Sequence, residues 1–357
     1  MAGLKSKTRR LGYIDALKGF GIILMVLGHM HFGYNALHQY IFGFHMPLFF
    51  LVSGYLYKTP KNLVDSIRQK MKGLLVPYFI LGLGYYLFWM FRHLNTGDSL
   101  FAPLKAVLWV TVDGLPVESA LWFLMVMFWA WLIYALIDKF IKDIWTKTFI
   151  IILISVLGCV WCYVVPFRLP WGLQDAFAVQ MFFLAGEAYR RLENRGGGVI
   201  RSWKRVPDVR KICFLIVGIL IDALFICENG FVNIRLGQWP GFILTYVNAI
   251  LAVWLWGELI KCLMKNRTLR FMPGAVFRRI GKFSIVWLCI NHPVIRLAKL
   301  ISNAIFVNAR YPLVKQTVIV VLSFVILYAI TEVLMRTPAR VIFGKWEDRK
   351  ILQPKSN

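Results

Sequence analysis

Residues 14–31 read IDALKGFGIILMVLGHMH. The run is apolar and of spanning length, yet it holds Lys18 near one end and His29 near the other. Ionisable side chains are costly inside a bilayer and mark functional sites by default. Lys18 and His29 are eleven residues apart. At about 100° and 1.5 Å per residue they fall within about 20° on one helix face, separated by roughly 16 Å. One stripe therefore carries a fixed cation near one membrane surface and a titratable base near the other. That arrangement suits a long ligand whose anionic head lies at one level and whose reactive end lies at the other.

Working outward, the rest of the 357-residue chain repeats such apolar runs, with 59% hydrophobic and 16% aromatic residues and a mean hydropathy of +0.63. This composition excludes a water-soluble globule and implies an all-α polytopic membrane protein, because lipid cannot satisfy the backbone groups of open strands. About ten transmembrane helices are expected, at roughly 14–32, 38–57, 74–92, 120–138, 148–165, 173–191, 211–227, 240–261, 283–301 and 315–335. They form one helical-bundle domain over 13–336, between a basic N-terminus (1–12) and a basic C-terminal tail (337–357). The segment around 101–112 is too short to cross and reads as re-entrant or interfacial.

The net charge of +25 is unevenly distributed. With the N-terminus inside, the inner segments receive about 33 of the 42 Lys and Arg, and the outer ones about eight, as the positive-inside rule requires. The expected topology is N-in, C-in. The inner clusters KSKTRR, RQKMK, RRLENRGGGVIRSWKRVPDVRK, KNRTLR and FRRIGK favour anionic membrane lipids or an anionic cytosolic cofactor. No nucleic-acid partner is expected, since no soluble reading element is visible. The start imitates a secretory signal, but Lys18 interrupts its apolar core, so an uncleaved first span is expected. The Cys159–Cys162 spacing falls inside an apolar helix and reads as packing. The glycines at 196–198 lack a following Lys and Ser and are not a phosphate loop.

The second span opens YIFGFHMPLFFLVSGYLY, residues 40–57. Pro47 removes a backbone donor there and frees carbonyls near His45. His29 and His45 approach the outer half from opposite directions on adjacent antiparallel helices, so they are expected to converge. A neutral imidazole can take a proton from a hydroxyl, which makes either a candidate catalytic base. Asp15 shares the face of Lys18 and reads either as its ion-pair partner or as a helix N-terminal carboxylate favoured by the helix dipole.

The blocks IDALKGFGIILMVLGH, FHMPLFFLVSGYLY, LLVPYF, LWFL at 121–124 and FSIVWLCINH at 283–292 closely resemble the membrane acyltransferase family 3, most of all its fucose 4-O-acetylase-like branch. The family signature on the first span, a basic residue, ten residues and a His, is matched by Lys18 and His29. Many members have Arg at the first position, so bidentate phosphate recognition is not carried over to Lys18. The extra soluble esterase-like domain that some members carry is not expected from these residues.

The resemblance implies O-acylation of a carbohydrate in a bacterial inner membrane. The acyl group, acetyl in the simplest case, comes from cytosolic acetyl-coenzyme A and ends on a cell-surface or lipid-linked glycan. Lys18 with Asp15 would then hold the donor's phosphates, beside inner-loop Arg68, Lys70 and Lys72. Trp122, Phe123 and Trp129 read either as a sugar platform or as an interfacial aromatic belt. Asn291 and His292 form a third polar site that either completes the active site or bridges helices. Glu187 and Glu258 should pair with inner cations, whereas Asp222 lies deeper and no partner is legible for it. No His and carboxylate spacing implies a metal. His93 and Asp98 share a spacing with glycerolipid acyltransferases but sit on the outer side without the rest of that pattern. The competing class is a glycan or lipid-linked-sugar exporter, which paired broken helices and internal repeats would favour.

Overall fold

The computed structural model describes residues 2–30, 35–109, 115, 117–271, 273–306 and 312–344; of these, the side chains of 2–11, 199 and 312 are not described. Every described regular element is helical. Seven stretches are long and apolar enough to cross a membrane: Gly12–His29, Leu63–His93, Ser119–Phe140, Ile144–Val164, Phe242–Leu263, Ser284–Ile305 and Leu313–Arg336. The other three expected spans are helical as well, at Ala36–Leu56, at Leu173–Ala178 with Gln180–Arg195, and at Asp208–Asn229. They carry more polar residues, such as His38, Gln39 and His45 in the first of them.

The chain divides into two compact units. The first comprises 1–59, 130–168 and 173–284, the second 60–129, 169–172 and 285–357. The domain expected over 13–336 is thus shared between them. The expected C-terminal tail lies outside the described residues from 345 onward, as do 110–112 of the short 101–112 segment.

In the first unit, the helix Ala2–His29 packs against Pro273–Lys282 and Ala36–Leu56. Glycine makes the tight approaches possible, as is usual where no hydrophobic effect drives helices together in lipid. A Cβ at Gly19 would overlap the carbonyl of Phe277, and one at Gly281 would overlap that of Asp15. Ala36–Leu56 meets Gln180–Arg195 in the same way, through Gly54 against Phe183 and Gly186 against Leu51. Asn35 caps Ala36–Leu56 by accepting from His38 N at 2.9 Å, and the helix continues through Pro47.

Ion pairs also join helices of this unit. Lys147, almost fully buried, lies 2.6 Å from Asp138 and 2.9 Å from Glu187, which also accepts from Arg191 at 2.7 Å. Tyr57 and Thr59 donate to the remaining oxygen of Asp138. Lys261 pairs with Glu258 at 2.6 Å and Glu193 at 3.3 Å. Glu187 and Glu258 thus have the cationic partners expected of them.

In the second unit, the span expected from residue 74 begins at Leu63, where Asn62 caps the helix by accepting from Val64 N. Its first turns, LVDSIRQK, are helical but too charged to read as membrane-spanning. Pro77 cannot donate to the carbonyl four residues back. The chain accommodates this with a π-helical turn, Met71–Leu75, in which Val76 N bonds Met71 O. Such turns relieve local strain without ending a helix. The short segment forms a helix, Phe101–Leu108, tied to Val76–His93 by Tyr78 OH to Val107 O (2.7 Å) and Tyr86 OH to Leu100 O (3.2 Å).

Candidate active site

The first helix is unbroken from Ala2 to His29, so the eleven-residue spacing keeps Lys18 and His29 on one face at the separation expected from helical rise. Lys18 Nζ lies 2.9 Å from Asp15 Oδ1, both side chains partly exposed. The ammonium has three donors, so this pair leaves capacity for an anion. His29 is half-buried at the helix end. Its ring meets Phe42 edge-on at 6.5 Å between centroids, and the His45 ring meets the same Phe42 at 5.0 Å. The two expected bases are brought to one aromatic ring.

His45 is 2% exposed, and its Nδ1 lies 2.8 Å from the Ile41 carbonyl. A carbonyl only accepts, so the proton is on Nδ1 and the lone pair on Nε2. His38, which sequence reading did not single out, joins the cluster. It is buried, packs on Phe42 at 4.4 Å and stacks on Phe231 at 5.3 Å. Its helical spacing of four from Phe42 was a signal, at the very start of the expected second span.

Beside Lys18 on the first helix, Tyr13 and Leu17 line an apolar cavity of about 130 Å3 with Tyr55, Tyr189, Val253 and Lys261. Tyr13 lies under the Lys261 ammonium, 4.6 Å from ring centroid to Nζ. Asp222 is fully buried, and neither oxygen has a hydrogen-bond partner among the described residues.

The remaining expected residues belong to the second unit. Arg68 is exposed and lies 3.9 Å from Asp65; Lys72 is exposed as well. Trp122 and Phe123 are buried and meet edge-on at 6.1 Å. Trp129 stacks on Trp171 at 5.8 Å. His93 Nδ1 lies 2.8 Å from the Trp89 carbonyl of its own helix, while Asp98 accepts from Thr96.

Asn291 and His292 converge on a residue that sequence reading passed over. Glu118 is 0% exposed. Its Oε1 lies 3.0 Å from His292 Nδ1, and Oε2 accepts from His292 N at 3.0 Å. Ala120 N donates to Oε1 at 3.1 Å and Asn291 Nδ2 at 3.5 Å. Ser119 N and Oγ each lie 3.3 Å from His292 Nδ1. Tyr85 OH donates to the Cys289 carbonyl one turn before His292. Glu118 has no motif around it, and its partner lies 174 positions away, so nothing local announced it.

A family model described as an acyltransferase domain, the acyltransferase 3 model, matches residues 11–332. The chain belongs to this family and is a multi-pass membrane acyltransferase. Searches of curated proteins and of solved structures found no match.

Proposed function

We propose that this acyltransferase moves acetyl from cytosolic acetyl-coenzyme A to a hydroxyl of a cell-surface or lipid-linked carbohydrate. The setting is a bacterial inner membrane with both termini inside. The observation that carries the reading is the single helix whose apolar stretch, Gly12–His29, bears the Lys18–Asp15 pair near one end and His29, against Phe42 and His45, at the other. A phosphate-bearing donor with a long pantetheine arm fits that two-level arrangement. Lys18 takes a donor phosphate, Asp15 orients the ammonium, and Arg68 and Lys72 add positive charge for the anionic donor. His29 acts at the thioester as general base or transient acyl carrier, and His45, with its lone pair on Nε2, orients it or serves as second base. Trp122, Phe123, Asn291 and His292 serve the acceptor. The carbohydrate class follows from the resemblance of the first two sequence blocks to the fucose 4-O-acetylase-like branch.

The test is the alkali-labile acetate on envelope carbohydrate from cells expressing wild type or His29→Ala, compared at equal membrane abundance. A general base contributes about 10²–10⁴-fold in rate, so His29→Ala should fall to the level of cells lacking the protein. Undiminished acetylation would remove His29 from the reaction.

A further inference from the structure

The first helix carries a second feature on the side away from Lys18. Ala16 and Phe20 each stand two residues from Lys18, about 160° around the helix, and both line a recess of about 220 Å3 in the first unit. Trp256, Leu263, Leu269 and Phe277 contribute to its other walls. The lining is apolar throughout, and the indole N–H of Trp256 already donates to Tyr40 OH at 2.8 Å. Leu263 and Leu269 are exposed, so the recess opens to the surface. It is larger than the dry cavity of about 150 Å3 that accepts a benzene molecule. Its rim is basic. The Arg278 side chain runs beside Gly12, one turn before Ala16, with Cδ 3.6 Å from where a Cβ would stand. Arg278 Nη2 then donates to the Arg270 carbonyl at 3.3 Å, next to the lining residue Leu269. Arg267 and Arg270 are exposed on the same short helix. Lys265 pairs with Asp208 at 2.5 Å, but from Leu259 to Thr331 the sequence itself holds no acidic residue.

We propose that this recess is a lipid site: it seats a hydrocarbon chain of an anionic phospholipid whose phosphate lies among Arg267, Arg270 and Arg278. Hydrocarbon suits walls that offer no hydrogen-bond partner. A peptide segment, or the amide-bearing arm of a coenzyme, would bring backbone or amide groups that go unsatisfied there. The head group is anionic because the rim is cationic. Basic pockets between membrane helices bind such head groups, and a guanidinium meets phosphate with two parallel N–H donors. The site lies in the leaflet that the basic loops face, on the side of the first helix opposite the donor stripe. Its role is to brace a helix crossing. Phe277 lines the recess, and its carbonyl lies against Gly19, the residue after Lys18. A chain seated in the recess therefore supports Pro273–Lys282 where it crosses the first helix.

The test uses the full-length protein, delipidated in mild detergent and given phosphatidylglycerol, phosphatidylcholine with the same chains, or inorganic phosphate. Native mass spectrometry counts retained lipid, and the thermal midpoint is recorded for each addition. Wild type should retain phosphatidylglycerol in preference to phosphatidylcholine and gain thermal stability from it, with no gain from phosphate alone. Arg270→Ala combined with Arg278→Ala removes two cations near the membrane surface and should cut that preference by roughly 30-fold. Leu269→Trp fills the recess and should abolish retention of the seated lipid. Arg195→Ala combined with Arg201→Ala removes the same charge from another basic loop and should leave the preference unchanged. Each variant is compared with its own midpoint in phosphatidylcholine, so a general loss of stability does not read as loss of the site. Equal retention of the two lipids by wild type would mean a non-specific lipid coat and overturn the proposal. So would undiminished retention in Leu269→Trp, an equal loss in the Arg195 and Arg201 control, or stabilisation by inorganic phosphate as large as that by phosphatidylglycerol.

Discussion

Gly281 lies against the main-chain carbonyl of Asp15, so close that any side chain at 281 would overlap it. The crossing of Pro273–Lys282 over the first helix therefore sets where the Lys18–Asp15 pair sits. Gly281→Val should force the helices apart at a cost of about 1–3 kcal/mol. Both the thermal midpoint in detergent and acetyl-coenzyme A affinity should drop together. A variant that melts like wild type would show that this contact is not tight.

Lys18 is proposed to capture a donor phosphate although it already meets Asp15 at 2.9 Å. A hydrogen bond to a charged group contributes about 1.5–3 kcal/mol, or roughly 10–100-fold in affinity. Lys18→Ala should weaken acetyl-coenzyme A binding by that factor, while Lys18→Arg, which also pairs with phosphate, should retain most of it. Equal affinity for wild type and Lys18→Ala, measured in nanodiscs, would make Lys18 a residue that only reaches toward the interface.

Lys147 neutralises two buried carboxylates, Asp138 and Glu187. Removing one member of a buried ionic cluster leaves uncompensated charge and costs about 3–5 kcal/mol. Lys147→Ala should accordingly reduce the yield of monodisperse protein and lower its thermal midpoint far more than Arg191→Ala does, since Arg191 is partly exposed. Equal effects from the two substitutions would refute the dominance of Lys147.

Asp222 presents the opposite case, a buried carboxyl with no described partner. Burying a polar group without a hydrogen bond costs about 1–3 kcal/mol on mutational scales. Asp222→Leu should therefore hold or raise the thermal midpoint and leave envelope acetylation intact. Loss of acetylation at normal stability would assign Asp222 a part in the reaction.

The helices were legible from apolar runs, since each of the ten expected stretches is mostly helical over its described residues. Their edges were less so. Leu63–Lys70 is charged and gains its helical start from the Asn62 cap and its continuation from the π turn before Pro77. The first-helix stripe was readable because Lys18 and His29 stand out in apolar sequence and helical spacing is local. Glu118 was not readable, because its significance arises only when His292 and Asn291 arrive from far along the chain. Lys147 was likewise obscured, since an isolated Lys near a span end looks like topology-setting charge until Asp138 and Glu187 are folded against it.

The central claim is acyl transfer from a cytosolic donor to an outer acceptor, and thiol release in sided proteoliposomes tests it most directly. Acetyl-coenzyme A is supplied on the face bearing the basic loops, and extracted envelope glycan on the other. The account predicts free coenzyme A in step with acetyl ester on the glycan, dependent on both substrates and abolished in His29→Ala. Movement of glycan across the bilayer with no thiol release and no dependence on acetyl-coenzyme A would contradict it and make the protein a transporter.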